Sequence, residues 1–177
     1  MYKVLICDDK PLILQALKEN VNWKGLGCTI VGEATDGLSA KKIFIDFNPD
    51  IIVTDIRMPR INGLELTRIV KENSSTTVVI LITAYDEFEY AQKALHYGAF
   101  ELILKPIDDE HMYSVFQSAV RKLDEMHYNI NKSRELQVQN QSLKRKMQQN
   151  NKNFIRSFFH VSDSLETFDS EEKAKLK

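Results

Sequence analysis

Cysteine is scarce in this 177-residue chain: only Cys7 and Cys28 are present, they form no CxxC pair, and neither has a histidine at ligand spacing. Both stand in apolar, strand-like runs, where cysteine serves as a small buried hydrophobe in a reducing compartment. Zinc ligation lacks donors as well, because His96, His111, His127 and His160 are scattered over helical or tail segments. Long apolar runs are missing: none approaches the roughly 18 residues of a membrane span, and the N-terminus meets Asp8 and Asp9 too early for a signal peptide. The expectation is a cytoplasmic protein with no membrane contact. No GxGxxG and no P-loop follows any strand-like run, which removes the usual nucleotide-binding readings. Net charge is only -1, although it is unevenly spread. Residues 1–125 hold 14 basic and 19 acidic side chains, 126–160 hold 7 and 1, and 161–177 hold 3 and 5. A moderately basic helix of this kind reads as a solvated face before it reads as a nucleic-acid footprint.

What the chain does have is 43% hydrophobic residues, enough for one good core. Up to about residue 124, short β-branched runs alternate with helical patterns: KVLIC then PLILQALKEN, CTIVGEA then GLSAKKIFIDF, DIIVTDI then GLELTRIVKEN, TTVVILIT then DEFEYAQKALHYG, FELILKP then DDEHMYSVFQSAVRKL. Such alternation predicts an α/β fold, a doubly wound parallel sheet of five βα units with helices on both faces. Pro11 suits a first helical turn, Asp86 and Glu89 have capping-box spacing, Gly98 is placed to end the fourth helix and Asp108 to cap the fifth.

In an open parallel sheet, ligands bind beyond the carboxyl ends of the strands. Asp8 and Asp9 follow the first strand, Asp55 the third, Thr83 and Ala84 the fourth, and Lys105 and Pro106 the fifth; the second ends in Glu33-Ala34 without an obvious partner. A lone polar residue at a strand end is unremarkable. Three carboxylates, a hydroxyl and an ammonium at one edge are not, and strand order 2-1-3-4-5 would make them converge. The carboxylates would repel unless a positive charge sat among them, and Mg²⁺ needs only a few protein oxygens. Such equipment suits phosphoryl transfer, in which a carboxylate can be the nucleophile. Asp55 stands alone after a central strand and is the best nucleophile, with Thr83, the Ala84 N–H and Lys105 available to phosphoryl oxygens.

The set DD, DIRMP, ITA and LKP resembles the receiver domain of two-component response regulators over roughly residues 2–125. The resemblance implies a flavodoxin-like (βα)₅ sheet of order 2-1-3-4-5. It implies Asp55 as phosphoacceptor and Asp8, Asp9, Asp55 and the Arg57 carbonyl as Mg²⁺ ligands, Asp9 directly and Asp8 more through water. Thr83 becomes the switch hydroxyl, Ala84 an N–H donor, Lys105 the phosphate-sensing lysine, and Pro106 follows a cis bond. Leu102 departs from the pattern, since many receivers carry an aromatic there; Phe100 shares its strand face by simple alternation. VNWKGLGCTIVGEATDG and ITAYDEFEYAQKAL resemble receivers that precede an AraC-type helix-turn-helix output domain. The partners implied are a sensor histidine kinase and DNA, the latter only through an output domain absent from these 177 residues. Two other functions fit parts of the pattern: an aspartyl-phosphate-type phosphohydrolase, whose first-strand motif is usually Asp-x-Asp, and a receiver-like interaction module that never uses phosphate.

From Phe116, apolar residues recur at spacings of three and four through Ala119, Leu123, Met126 and Ile130, falter at Ser133, and resume as Leu136, Asn140, Leu143, Met147, Asn150 and Phe154. A fifth helix extended into a dimerising coiled coil with one stammer would give this pattern, and Asn140 in its core would favour parallel two-stranded pairing. The expected organisation is a receiver at 1–124, a helical coiled-coil linker at 125–153, and at 154–177 a tail or the start of a module containing Phe154, Phe158, Phe159 and Phe168.

Overall fold

The alternation of β-branched runs with amphipathic segments folds as expected. The computed structural model describes residues 1–84, 88–106 and 108–174, with side chains described through 152 apart from Phe88. The elements in order are β1 (Tyr2–Cys7), α1 (Pro11–Asn20), β2 (Cys28–Ala34), α2 (Gly37–Phe47), β3 (Ile51–Asp55), α3 (Gly63–Asn73), β4 (Val78–Thr83), α4 (Phe88–His96), β5 (Glu101–Leu104) and α5 (Asp109–Ala174). The five strands form one parallel sheet of order β2-β1-β3-β4-β5. Register brings the functional ends level: Cys7 lies beside Thr54, Asp55 beside Ile82, and Thr83 beside Leu104.

Side chains alternate across a strand, so each strand feeds two cores. Val4, Ile6, Val53, Ile80 and Ile82 face Leu14 and Leu17 of α1 and Phe116, Ala119 and Leu123 of α5. Leu5, Cys7, Ile52 and Val79 face Ala40 and Phe44 of α2 and Leu66 and Val70 of α3. A third cluster, Ile56, Leu64, Leu81 and Ala94, seats α4. Both cysteines are buried and unbridged, and burial drives the Cys7 thiol far above its ordinary range, which keeps it an inert apolar filler.

Local signals explain the helix ends. Pro11 opens α1, Gly98 takes a left-handed φ of 77° after α4, and the His111 N–H donates to Asp108 Oδ2 at 2.9 Å. Asp86 lies outside the described residues. Two caps went unread in the sequence: Asp36 accepts from the Leu38 and Ser39 N–H groups, and Asn62 from Glu65. Glu33, at the end of β2, pairs with Lys18 of α1 at 2.9 Å.

The chain divides into two compact units, Met1–His127 and Tyr128–Lys177. In the first unit Phe116 and Leu123 are fully buried against the sheet, and the partly buried Met126 packs on the same core. Phe116 and Leu123 therefore cannot serve as a dimer seam, because each already fills a hole in its own chain, whereas Met126 keeps part of its surface open. In the second unit Leu136, Leu143 and Met147 are exposed, and Ile130 is at the edge of exposure at 36%. The backbone of α5 stays helical through the boundary expected at 153, while the side chains of Phe154, Phe158, Phe159 and Phe168 lie outside those described.

Phe116 packs against Trp23 with ring centroids 4.8 Å apart and the ring planes tilted by 51°. Phe116→Ala should therefore remove about 3–5 kcal/mol of unfolding free energy in denaturant titration followed by Trp23 fluorescence. A loss under about 1 kcal/mol would show that this packing is not what secures α5.

Candidate functional site

Four strand ends place the site. Hydrophobic runs bury β1, β3 and β4 on both faces, and each run stops where the chain leaves the sheet, so the first polar residue is held at the rim by a rigid strand. Asp8 leaves β1 and Asp55 closes β3; both are buried. Thr83 closes β4 and is fully buried. Lys105 follows β5, its N–H donating to the Thr83 carbonyl at 2.7 Å, and its bond to Pro106 is cis.

The Lys105 ammonium lies between the two carboxylates, donating to Asp8 Oδ2 at 2.8 Å and to Asp55 Oδ1 at 2.9 Å. All three side chains are at most 16% exposed. The remaining oxygens are also engaged: Asp8 Oδ1 accepts from the Lys10 N–H at 2.9 Å and Asp55 Oδ2 from the Arg57 N–H at 2.9 Å. Burial pushes the Asp55 carboxyl up; the hydrogen bond and charge of Lys105 oppose this, and the charge of Asp8 adds to it, leaving a net rise. For Lys105, burial alone would lower the pKa, but the bonds to Asp8 and Asp55 outweigh it and the pKa rises.

Asp9, unlike Asp8 and Asp55, is exposed. Among the described residues no three His, Cys, Asp or Glu side chains gather closely enough to hold a metal ion by themselves. The donor chemistry nevertheless suits Mg²⁺. Hard carboxylate oxygens share one rim, Lys105 already sits between two of them as a positive charge, and this dication keeps most of its shell as water.

Gly63 was not singled out in the sequence. A Cβ there would lie 2.1 Å from the Asp55 carbonyl oxygen, so only glycine lets α3 begin against the end of β3. Its N–H donates to the Ile56 carbonyl at 2.8 Å, fixing the loop that carries Asp55. Leu102 is half-buried in the third cluster beside Tyr90 and Tyr97. Phe100 does not share its face, as expected from alternation, but packs on the first core; it precedes β5, where alternation has not yet begun. Ala84, after β4, is exposed.

The raised pKa of Asp55 has a stability consequence. A carboxyl whose folded pKa exceeds its unfolded value favours folding below the unfolded pKa, and that contribution is lost as pH rises through the folded pKa. At neutral pH the charged Asp55 therefore opposes folding. Asp55→Asn should raise the melting temperature at pH 7, by roughly 2–4 °C per kcal/mol recovered, and the gain should vanish as pH falls below about 4. Thermal scans showing a loss at pH 7, or a gain independent of pH, would contradict this balance.

The model of the response regulator receiver domain matches residues 4–117. An uncharacterized response regulatory protein of Staphylococcus epidermidis is 35% identical over 131 residues, covering 74% of this chain and 51% of that protein. The transcriptional regulatory protein HptR of Staphylococcus aureus is 32% identical over 123 residues, covering 70% and 48%. Among solved structures, the receiver domain of AraT, a response regulator from Geobacillus stearothermophilus, superposes with a TM-score of 0.67 at 32% identity, covering 71% of this chain and 98% of that one. A CheX–CheY–BeF₃–Mg complex from Borrelia burgdorferi gives 0.61 at 28%, covering 66% and 87%. The chain spans about half the length of the Staphylococcus relatives it matches. Matched over residues 4–117 of its 177, and folded as five parallel strands in the order β2-β1-β3-β4-β5, this chain belongs to the response regulator receiver family of two-component systems.

Proposed function

We propose that the chain is a phosphoacceptor switch that takes a phosphoryl group from a sensor histidine kinase onto Asp55. The observation that carries this reading is the Lys105 ammonium held 2.9 Å from Asp55 and 2.8 Å from Asp8 in a half-closed rim. An Asp55 oxygen attacks phosphorus, the bond from phosphorus to the donor's imidazole nitrogen breaks, and an acyl phosphate forms. Before transfer Lys105 neutralises the two acids; afterwards it is placed to hold a phosphoryl oxygen. The Thr83 hydroxyl and the Ala84 N–H would donate to the others. Asp8, Asp9, Asp55 and the Arg57 carbonyl would hold Mg²⁺, which when bound supplies charge neutralisation to the phosphoryl oxygens. Burial of Asp8 and exposure of Asp9 support the division in which Asp9 binds the ion directly and Asp8 through water.

The output we propose is transcriptional, through an AraC-type DNA-binding domain outside these 177 residues. The supporting likeness is to a solved two-component transcriptional regulator AraC from Clostridium phytofermentans, 28% identical with a TM-score of 0.64, and to YesN, a transcriptional regulatory protein of Bacillus subtilis that is 33% identical over 123 residues. Residues 1–124 would serve as receiver and 125–153 as the link. With Phe116 and Leu123 committed to the core and Met126 partly so, pairing of two chains falls mainly to Ile130, Leu136, Asn140, Leu143 and Met147. A long helix with an exposed apolar stripe at heptad spacing gains by burying it against a second copy.

Incubation with acetyl phosphate and Mg²⁺ should add one phosphoryl group to the wild type and none to Asp55→Asn, read by intact mass. No gain in the wild type would defeat the phosphoacceptor reading, and rapid turnover of many phosphoesters would favour the hydrolase. Sedimentation should show a dimer that Leu143→Glu dissociates; a monomer at every concentration, phosphorylated or not, would defeat the pairing.

A further inference from the structure

Arg57 is bound at both its ends. Its main-chain N–H donates to Asp55 Oδ2 at 2.9 Å, and its side chain reaches α4, where Nε–H donates to the Tyr90 hydroxyl at 3.2 Å. The guanidinium carbon also lies 5.7 Å from the Tyr90 ring centroid, within cation–π range. Tyr90 in turn packs on the cluster of Ile56, Leu64, Leu81 and Ala94, as does Leu102. One tyrosine thus joins the peptide that faces Asp55 to the packing of α4 against β4 and β5.

We infer that Tyr90 is a positioning residue for the chemistry at Asp55. By holding the Arg57 side chain from α4, it fixes the orientation of the Arg57 peptide, whose N–H binds the acceptor carboxylate and whose carbonyl is among the proposed Mg²⁺ donors. The inference rests on the reading of the site given above and adds a residue from outside the strand ends. It also addresses the departure at Leu102. An aliphatic side chain there has no polar tip with which to report on the site, whereas Tyr90 packs in the same cluster and touches Arg57 directly. Coupling of this kind is reciprocal, so whatever binds α4 and displaces Tyr90 alters the affinity for Mg²⁺ by the same factor that Mg²⁺ alters its binding.

The geometry sets the size of the effect. Arg57 is exposed, and a cation–π contact at such a site corresponds to roughly a two- to fivefold change in affinity. The test uses the full 177-residue chain with Mg²⁺ alone as ligand, measured by calorimetry without phosphodonor, and then the Mg²⁺ dependence of phosphorylation by acetyl phosphate. Tyr90→Leu should weaken Mg²⁺ binding by roughly two- to fivefold, and Tyr90→Phe, which keeps the ring and loses the hydroxyl, should fall between it and the wild type. Tyr97→Leu is the control for packing, since Tyr97 lies on the same cluster and its recorded ring contact is with His96, not Arg57. It should lower the melting temperature and leave Mg²⁺ affinity unchanged. Equal Mg²⁺ affinities in the wild type and both folded Tyr90 variants would overturn the inference, as would equal losses in Tyr90→Leu and Tyr97→Leu. A wild type that binds no Mg²⁺ would overturn the site reading itself, and the inference with it.

Discussion

The Lys105 ammonium between Asp8 and Asp55 is the contact on which the rest of the site depends. Two carboxylates on neighbouring strands, each nearly closed off from water, would repel across the rim without a cation. Lys105 can reach them because β5 lies at the end of the sheet next to β4, its main-chain N–H is tied to the Thr83 carbonyl, and its side chain passes back over two strand ends. The compensation is incomplete: burial still holds the Asp55 carboxyl above its ordinary range. A carboxylate kept in a partly unfavourable charged state is one for which added positive charge or esterification is a relief. That is the physical sense in which this rim suits a reversible modification.

The backbone around the acids matters as much as the acids. Gly63 lets α3 start against the Asp55 carbonyl, and the Arg57 N–H occupies Asp55 Oδ2. Arg57 stands in the loop after β3 and Gly63 opens α3, so Asp55 is held from its own strand, from the following helix and, through Arg57 and Tyr90, from α4.

Much of this was legible in the chain. The apolar runs of β1, β3 and β4 are continuous because these strands are buried on both faces, and the polar residues that end them, Asp8, Asp55 and Thr83, are the residues found at the rim. What pattern reading could not do was assign partners. Asp8 and Asp9 are adjacent and chemically identical, yet past the end of β1 Asp8 is buried against Lys105 while Asp9, in a bend, is exposed. Phe100 and Leu102 looked equivalent by a period of two, but the period starts only at Glu101. Phe116 and Leu123 read as seam residues although they pack on the sheet, because a helix packed on a sheet and a helix packed on another helix present the same apolar stripe. Only the sheet beside α5 shows which of the two is present. Asp36, Asn62 and Gly63 were missed because a cap or a close approach depends on where the preceding chain lies, which periodicity does not record.

The account's central claim is that the phosphoryl group resides on Asp55 as an acyl phosphate. Borohydride reduction of the chain after acetyl phosphate and Mg²⁺ treatment, followed by peptide mass mapping, tests it most directly, because the reagent converts an aspartyl phosphate to homoserine. The account predicts homoserine at position 55 and nowhere else. Reduction at Asp8, Asp9 or any other aspartate, with position 55 intact, would contradict it.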